Sequence, residues 1–207
     1  MFRLKRCIIW VLGRFICVNH VAVIMDGNRR YAKSKAIKVS GGHAQGFYKL
    51  LQMVEICSLF GVSALTVYAF SLLNFRRSKE EICDLINLSI DVLSQNGQLR
   101  DFCKDVNCRI RFCGDFSFVG DDIKKMLKDV ELKTSQYTGM TLNICLSYGA
   151  RNEIANALKG KSENFCENLS TSPFGPPEIL IRTSGVTRLS DFLIYQASLH
   201  LDLFLHG

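Results

Sequence analysis

The chain has 207 residues, of which 48% are hydrophobic and 22% charged, and these values are typical of a globular domain. They exclude long disorder and a protein with several membrane spans. The net charge of +7 is unevenly placed, because Met1 to Leu50 contains ten Lys and Arg residues but only one acid, Asp26. The excess predicts an anionic partner: a nucleic acid, an anionic membrane or a phosphorylated small molecule.

The first 18 residues join basic residues to a short apolar stretch. A signal peptide would look similar, but no small-residue cleavage site follows, and Arg14 interrupts the apolar run before it reaches a span of about 20 residues. Residues 1–18 are therefore expected to be an amphipathic segment that lies on a membrane or covers an apolar tunnel. The alternative is a helix docked on the protein's own core. Residues 19–207 are expected to form one domain.

Apolar runs and helical periods alternate along the rest of the chain. Five runs have the character of strands buried on both faces of a sheet: Val21–Met25, Ala64–Phe70, Cys108–Gly114, Thr141–Tyr148 and Glu178–Ile181. Apolar residues at helical spacing predict helices at 47–57, 82–93 and 123–130, with a shorter helix at 152–158. This alternation predicts an α/β fold, a single domain whose central, mostly parallel sheet is sandwiched by helices.

The nine cysteines are odd in number and include no C-x-x-C pair. Most of them sit inside apolar runs, as Cys57, Cys113 and Cys145 do. The pattern favours buried free thiols in a reducing compartment over disulfides or a zinc site.

Polar clusters follow three of the predicted strands. Ligands of open parallel sheets bind where the strands end, at the carboxyl edge. The clusters there are Asp26-Gly27-Asn28-Arg29-Arg30, the residues Ser71, Asn74, Arg76 and Arg77, and Arg182-Thr183-Ser184-Gly185 followed by Arg188 and Ser190. A lone carboxylate among arginines can hold a divalent metal whose other ligands are phosphate oxygens. A structural ion pair is the alternative explanation of Asp26, and His43 is either a phosphate donor or a helix-start residue.

Four stretches in order resemble the signature blocks of the cis-prenyltransferases, the undecaprenyl diphosphate synthase-like family. They are "HVAVIMDGNRRYAK" with Gly42-His43, "LTVYAFSLLNFRRSKEE", "LNICLSYGARNEI" and "ILIRTSGVTRLSDFLIYQ", which together cover His20 to about Gln196. The first block most resembles the catalytic subunit of eukaryotic dehydrodolichyl diphosphate synthase.

The resemblance implies an enzyme that extends farnesyl diphosphate by cis condensations with isopentenyl diphosphate under Mg²⁺. The long polyprenyl diphosphate would serve dolichol synthesis and protein glycosylation at the cytosolic face of the endoplasmic reticulum membrane. The resemblance also implies a Nogo-B-receptor-like accessory subunit, or a homodimer, as the partner that completes the site. A nucleic-acid partner is not expected, because no aromatic stacking array or reading motif is present.

Site roles follow from the same resemblance. Asp26 would handle the metal and diphosphate, and Asn74 would assist proton removal. The residues implied for the allylic diphosphate are Gly27, Asn28, Arg29, Arg30, Tyr31, His43, Ser71, Phe75 and Arg77. Those implied for isopentenyl diphosphate are Arg30, Arg182, Arg188 and Ser190.

Three residues depart from the family pattern. Val39 stands where an arginine is usual, and Leu73 and Val186 replace acids of the usual S-x-E-N and R-T-x-G-E. Relatives also continue beyond the position of Gly207 into helices that help form a dimer, and no R-x-G tail is present. A shortened chain that needs a partner is therefore expected, and the competing hypothesis is a catalytically impaired paralogue or isoform that acts as a binding or regulatory subunit.

Overall fold

The computed structural model describes residues 18–76, 98–117 and 119–206. Within them one sheet contains the strands β1 His20–Ile24, β2 Ala64–Ser71, β3 Cys108–Cys113, β4 Met140–Tyr148, β5 Ile179–Arg182 and β6 Leu203–His206. Every strand pair is parallel, and the order across the sheet is β3-β4-β2-β1-β5-β6. The predicted α/β fold with a central parallel sheet is confirmed.

Helices cover both faces of the sheet. They are α1 Asn28–Ser34, α2 Val39–Leu59, α3 Gln98–Asp105, α4 Asp121–Thr134, α5 Ala150–Ala157 and α6 Ile194–Leu199. Short 3-10 turns occupy Leu72–Arg76 and Phe165–Asn168. One apolar cluster packs α2, α3 and α4 on the first face. A second packs Ala150 of α5 and the residues just before α6, Phe192 and Leu193, on the other.

Strand β1 shows how the sequence produces these layers. All five of its residues are buried, and successive side chains alternate between the faces because a strand repeats every two residues. Val21 and Val23 enter the cluster that contains Val54 of α2, whereas Ala22 and Ile24 enter the cluster on the opposite face. Full burial of one such aliphatic side chain stabilises the fold by about 1.5–3 kcal/mol. The continuous apolar run is therefore the signature of a strand covered on both sides.

The strand order places a crevice between the carboxyl ends of β1 and β5. From β1 the chain crosses to β2 on one side, whereas from β5 it crosses to β6 on the other side. The loops after these two neighbouring strands therefore diverge and leave a gap at the sheet edge, the usual ligand position in such folds.

Four short elements were not predicted from the sequence: α1, α3, α6 and β6. Helix α1 has a single buried residue, Ala32, so no apolar period marks it. Helix α6 spans six residues and β6 four, which is too short for a periodic pattern to emerge. The helix predicted at 82–93 lies outside the described residues.

The predicted burial of the cysteine side chains is confirmed for five of the six within the described residues. Cys57, Cys113 and Cys145 are buried free thiols, and the last two are direct partners on β3 and β4. Cys166 is free but exposed.

A buried histidine opens β1. His20 Nδ1 lies 2.6 Å from the Gly175 carbonyl oxygen, so the neutral ring donates there. Its unprotonated Nε2 accepts from Thr66 Oγ1 at 2.7 Å, and Thr66 Oγ1 in turn accepts a hydrogen bond of 3.0 Å from Asn143 Nδ2. Burial lowers the pKa of His20 below its ordinary value of 6.5, because an imidazolium would lose its hydration there.

Acidification is expected to destabilise the fold through His20. Below about pH 6.5 the unfolded chain binds a proton that buried His20 does not, so the free energy of unfolding falls with pH, by at most about 1.4 kcal/mol per pH unit. Denaturant titrations at about pH 7.5 and 5.5 should show this loss, and His20→Gln should show a smaller one. The exposed control His200→Gln should keep the wild-type loss. An equal loss in His20→Gln would contradict the prediction.

Candidate active site

A polar cavity of about 400 Å³ lies at the carboxyl edge of the sheet. It opens where the loops after β1, β2 and β5 converge, next to the crevice between β1 and β5. Backbone and side chains from segments more than 150 residues apart meet there, as in the contact between Asp26 and Arg182, separated by 156 positions. The parallel sheet therefore assembles this site from clusters that are scattered in the sequence.

Asp26 lies two residues beyond β1 and is partly buried, with 34% of its side chain exposed. Its Oδ1 accepts the Gly27 N–H at 2.7 Å, and its Oδ2 accepts Arg182 Nη2 at 2.8 Å. Burial pulls the pKa of Asp26 upward, but the Arg182 and Gly27 hydrogen bonds and the nearby cations outweigh it and hold the pKa below its ordinary value. Asp26 is therefore a carboxylate at neutral pH.

Arg182 ends β5 and is almost completely buried, with 5% of its side chain exposed. Besides Asp26, its guanidinium donates to Ser190 Oγ at 2.7 Å and to the Arg188 carbonyl oxygen. A planar guanidinium can serve several acceptors from one fixed position. Arg182 therefore ties the end of β1 to the loop that carries Arg188 and Ser190.

Gly27 turns the chain from β1 into α1. Its φ of 100° lies in the left-handed region, and a Cβ added there would stand 1.9 Å from Ser184 Oγ. Only glycine meets both conditions without strain. The turn aligns Asn28, Arg29 and Arg30 on the first turn of α1, and all three line the cavity.

Two glycines bring α2 close to the start of α1. A Cβ on Gly42 would lie 2.4 Å from the Asn28 carbonyl oxygen, and one on Gly46 would lie 2.7 Å from Asn28 Nδ2. A side chain at Gly42 would force the helices apart, and one at Gly46 would displace the Asn28 side chain. This close packing places His43, near the start of α2, on the cavity wall.

The end of β2 supplies the third side of the cavity. The Ser71 N–H donates to Asn74 Oδ1 at 2.9 Å, and Ser71 Oγ accepts the Leu73 N–H at 3.1 Å. These local hydrogen bonds satisfy backbone groups at the start of the 3-10 turn. They hold Ser71, Leu73 and Asn74 against the cavity.

Comparison with known proteins assigns the family. Residues 24–206 match the family model of the prenyltransferases described as undecaprenyl diphosphate synthases. The chain belongs to this prenyltransferase family. It also resembles dehydrodolichyl diphosphate synthase complex subunits, with 37% identity to human DHDDS and 38% to SRT1 of Saccharomyces cerevisiae.

The alignments cover most of this chain but less than two thirds of these two relatives. The human alignment spans 87% of this chain but 59% of the relative, and the yeast alignment spans 86% and 57%. The chain thus spans about six-tenths of the length of these two proteins. An isoprenyl transferase of Treponema denticola is 34% identical, over 87% of this chain and 82% of that protein.

A solved structure shares the fold. Lavandulyl diphosphate synthase from Lavandula x intermedia, crystallised with dimethylallyl diphosphate, superposes with a TM-score of 0.81. The two share 26% sequence identity, and the match covers 92% of this chain and 86% of that one. The α/β sandwich of this chain is therefore the fold of its family.

Most residues predicted for the site line the single cavity just described. They are Asp26, Gly27, Asn28, Arg29, Arg30, His43, Ser71, Asn74, Arg182, Arg188 and Ser190. Tyr31 and Phe75 do not line it. Tyr31 is 44% exposed. Phe75 is 40% exposed, and its ring stands nearly perpendicular to the ring of Phe70 with 5.0 Å between the ring centroids. Arg77 lies outside the described residues. The chemical roles assigned to all these residues stay predictions.

Sequence reasoning gave no role to several residues that the structure places at the site. Thr183 and Ser184 both hydrogen-bond the Asp26 backbone. Tyr68 lines the cavity from β2. Because it lies within an apolar run, its sequence position did not distinguish it from a core residue. The small polar residues directly after Arg182 were the one sequence signal that pointed to such contacts.

Of the three departures from the expected family pattern, one lines the cavity and two do not. Leu73 lines it and is 53% exposed, so an apolar side chain stands where an acid is usual. Val39, the first residue of α2, is 36% exposed and does not line it, and neither does Val186.

No helix within the described ranges 18–76, 98–117 and 119–206 combines the length and the apolar character needed to cross a lipid bilayer.

Proposed function

We propose that this prenyltransferase extends farnesyl diphosphate by successive cis condensations with isopentenyl diphosphate. The product is a long-chain polyprenyl (dehydrodolichyl) diphosphate for dolichol synthesis and protein glycosylation. Family membership and the resemblance to dehydrodolichyl diphosphate synthase subunits support this substrate class.

The observation that carries the proposal is the pairing of Asp26 with Arg182 on the wall of a cavity otherwise rich in donors. A single carboxylate cannot work as a pair of acid and base carboxylates. Together with Arg29, Arg30, Arg182 and Arg188, it suits a reaction in which negative charge develops on phosphate oxygens. Ionisation of an allylic diphosphate is such a reaction.

The site suits Mg²⁺ held by Asp26 and substrate phosphates better than a metal held by protein side chains alone. Among the described residues, no group of three or more His, Cys, Asp or Glu side chains could hold a metal ion. Mg²⁺ commonly uses one or two carboxylates together with substrate phosphates and water, and Asp26 is an ionised, partly exposed carboxylate at the cavity. Asp26 would therefore hold the ion, which when bound neutralises charge on the diphosphate.

The start of α1 is proposed to receive the allylic diphosphate. Gly27 and Asn28 line the cavity at the start of α1, where phosphate oxygens would approach the backbone. Arg29 and Arg30 add cationic donors, and His43 adds a ring nitrogen. Tyr31, Phe75 and Arg77 complete the predicted set, although Tyr31 and Phe75 lie off the cavity wall.

Isopentenyl diphosphate is proposed to bind on the side of β5. Arg182, Arg188 and Ser190 belong to one hydrogen-bonded unit, and Arg30 reaches this side by donating to the Ser184 carbonyl oxygen at 3.1 Å. An anion held here lies beside one held by α1, so the two substrates share the cavity. Close, fixed placement of two reactants lowers the entropic cost of their condensation.

The remaining steps need a leaving anion, a shielded cation and a proton acceptor. The C–O bond of the allylic diphosphate breaks, the electron pair leaves with the diphosphate, and arginines stabilise that anion. The isopentenyl double bond then attacks the carbocation, and the resulting cation loses one proton to an oxygen of the released diphosphate. Asn74 is the residue proposed to assist that loss, and its Oδ1 is oriented by the Ser71 N–H.

A partner and a membrane location belong to the same proposal. A Nogo-B-receptor-like subunit, or a second copy of the chain, would complete the site, and the human and yeast relatives are named as subunits of a complex. The enzyme would act as a peripheral protein at the cytosolic face of the endoplasmic reticulum membrane, with residues 1–18 in contact with lipid or covering the tunnel. No nucleic-acid partner is proposed.

One observation favours the alternative, a catalytically impaired paralogue or isoform that acts as a binding or regulatory subunit. Leu73 places an aliphatic side chain on the cavity wall where the family pattern has an acid. The cavity wall keeps Asp26, Ser190 and the arginines expected there, Arg30, Arg182 and Arg188. The names of the relatives favour the enzyme over this alternative.

Incorporation of labelled isopentenyl diphosphate onto farnesyl diphosphate tests the proposal. With Mg²⁺ and the receptor-like partner, the chain should form polyprenyl diphosphates, and removal of Mg²⁺ by a chelator should stop the reaction. Omission of the partner should lower the yield. A chain that binds the partner but elongates no primer, with or without that partner, would establish the non-catalytic alternative.

A further inference from the structure

Asp26 has left the sheet, so the hydrogen bonds between strands do not fix its position. The last paired residues of β1 and β5 are Ile24 and Arg182, and the Thr183 N–H donates to the Ile24 carbonyl oxygen at 3.2 Å. Met25 and Asp26 lie beyond these contacts. A carboxylate at the end of a chain segment that has left its sheet needs another restraint if it is to hold one position.

Thr183 supplies this restraint through its hydroxyl. Thr183 Oγ1 accepts the Asp26 N–H at 2.9 Å and donates to the Asp26 carbonyl oxygen at 2.7 Å. One hydroxyl can donate once and accept twice, so both bonds are compatible. The Asp26 N–H is also 3.1 Å from the Ile24 carbonyl oxygen, and Ser184 Oγ donates to the Asp26 carbonyl oxygen at 3.0 Å. The Thr183 side chain thus continues the β1–β5 pairing by two residues.

We propose that Thr183 is a positioning residue that fixes the Asp26 carboxylate at the metal and diphosphate site through the Asp26 backbone. The inference rests on the proposed function, because it assigns Thr183 to the same reaction. Thr183 is not among the residues that line the cavity, and therefore it acts through Asp26 and not on the substrate. Adjacent Arg182 binds the Asp26 side chain, so neighbouring residues hold one aspartate at its backbone and at its carboxylate.

The proposal predicts an effect on the chemistry that exceeds the effect on stability. A displacement of about 1 Å in a group that orients a reactant can lower a rate by about a hundredfold. Thr183→Val keeps the branched shape of the side chain but removes both hydrogen bonds, while the Ile24 and Ser184 contacts to Asp26 can remain. Thr183→Ser restores the hydroxyl.

A matched control lies beside β3, the edge strand that β4 and β2 separate from β1. Thr134, at the end of α4, is fully buried and makes the same two-way contact: its Oγ1 accepts the Ile110 N–H at 3.1 Å and donates to the Val130 carbonyl oxygen at 2.9 Å. It does not line the cavity. Thr134→Val therefore removes an equivalent hydroxyl from the fold without touching the site.

Two readouts on the full chain with its partner separate the outcomes. For Thr183→Val we expect kcat/KM to fall by about ten- to a hundredfold and the Mg²⁺ concentration for half-maximal rate to rise. Calorimetry with inorganic pyrophosphate and Mg²⁺ should show weaker binding, whereas Thr183→Ser should stay within about threefold of wild type in both assays. Thr134→Val should lower the melting temperature and leave both readouts unchanged.

The pyrophosphate titration does not depend on turnover. If the wild type binds pyrophosphate and Mg²⁺ but does not elongate a primer, the proposed function fails and the positioning role is judged on binding alone. Equal binding by the wild type and Thr183→Val would overturn the role of Thr183. So would an equal loss in Thr134→Val, because the effect would then be one of stability only, and so would a wild type that does not bind pyrophosphate.

Discussion

Asp26→Asn is expected to lower elongation by at least about a hundredfold, which corresponds to about 2.7 kcal/mol of transition-state stabilisation. Asn has nearly the same shape as Asp, and its oxygen can still accept the Gly27 N–H. It carries no charge, so it can neither hold Mg²⁺ as a carboxylate does nor balance Arg182. Initial rates with labelled isopentenyl diphosphate, at saturating farnesyl diphosphate and partner, measure the effect.

A second consequence of Asp26→Asn concerns stability. Arg182 is 5% exposed, and the substitution leaves its buried charge without an anionic partner. Since the Asp26 side chain is 34% exposed, solvent screens part of this cost, and we expect about 1–2 kcal/mol of destabilisation. Denaturant titration measures it separately from the rate.

Asp129→Asn is the matched control for charge removal. Asp129 pairs with Lys133 at 2.6 Å on α4 and is half exposed, so its loss should cost less than about 1 kcal/mol and leave the rate unchanged. If Asp26→Asn elongated at the wild-type rate, Asp26 could be neither the metal ligand nor a diphosphate-handling residue.

Gly27→Ala is expected to have the second-largest effect, a destabilisation of more than about 2 kcal/mol with a matching loss of activity. Two costs combine here. A φ of 100° is unfavourable for alanine, and the new Cβ would collide with Ser184 Oγ. Relief of the collision would require Ser184 Oγ to turn away, which breaks its hydrogen bond to the Asp26 carbonyl oxygen, or a shift of the loop that holds Asp26. Denaturant titration and the elongation assay both measure the result.

Two further variants separate these costs. Gly61 also has a positive φ, of 75°, but nothing lies within 4 Å of its added Cβ, so Gly61→Ala reports the backbone cost alone, about 1 kcal/mol. Ser184→Gly in the Gly27→Ala background removes the colliding atoms and also suits the Ser184 φ of 79°. The double variant should regain part of the lost stability. No recovery, together with equal costs at Gly27 and Gly61, would refute the steric explanation.

The elements with strong periodicity were predictable from the sequence, and the short ones were not. The strands around Val21, Ala64, Cys108 and Thr141 were found within one or two residues. The first is a fully buried apolar run, whereas the edge strand at Cys108 alternates buried residues with Arg109 and Arg111. Helix α1 was missed because Asn28–Ser34 buries one residue and follows a glycine in a left-handed conformation. Its position depends on Gly42 and Gly46 of α2, a contact that no local pattern reveals.

The location of the cavity could be predicted from the sequence, but the contacts of its individual side chains could not. Polar residues at the ends of parallel strands must meet at one edge, so Asp26, Ser71 and Arg182 were expected together on topology alone. The positions of Tyr31 and Phe75 outside the cavity depend on side-chain packing, such as that of Phe75 on Phe70. The dual contact of Thr183 with Asp26 depends on one hydroxyl's orientation, which the sequence does not encode in any recognisable motif.

The central place of β1 in the sheet has a consequence for synthesis of the chain. Its two neighbours are β2, about 40 positions later, and β5, about 160 positions later. A nascent chain grows from its N-terminus, so β1 and β2 can pair early while the opposite side of β1 stays an open, apolar edge. Such an edge readily pairs with foreign strands. Until the ribosome has released Ile179–Arg182, the cavity lacks Arg182 and this edge of β1 stays uncovered. These four residues therefore protect that edge from foreign strands.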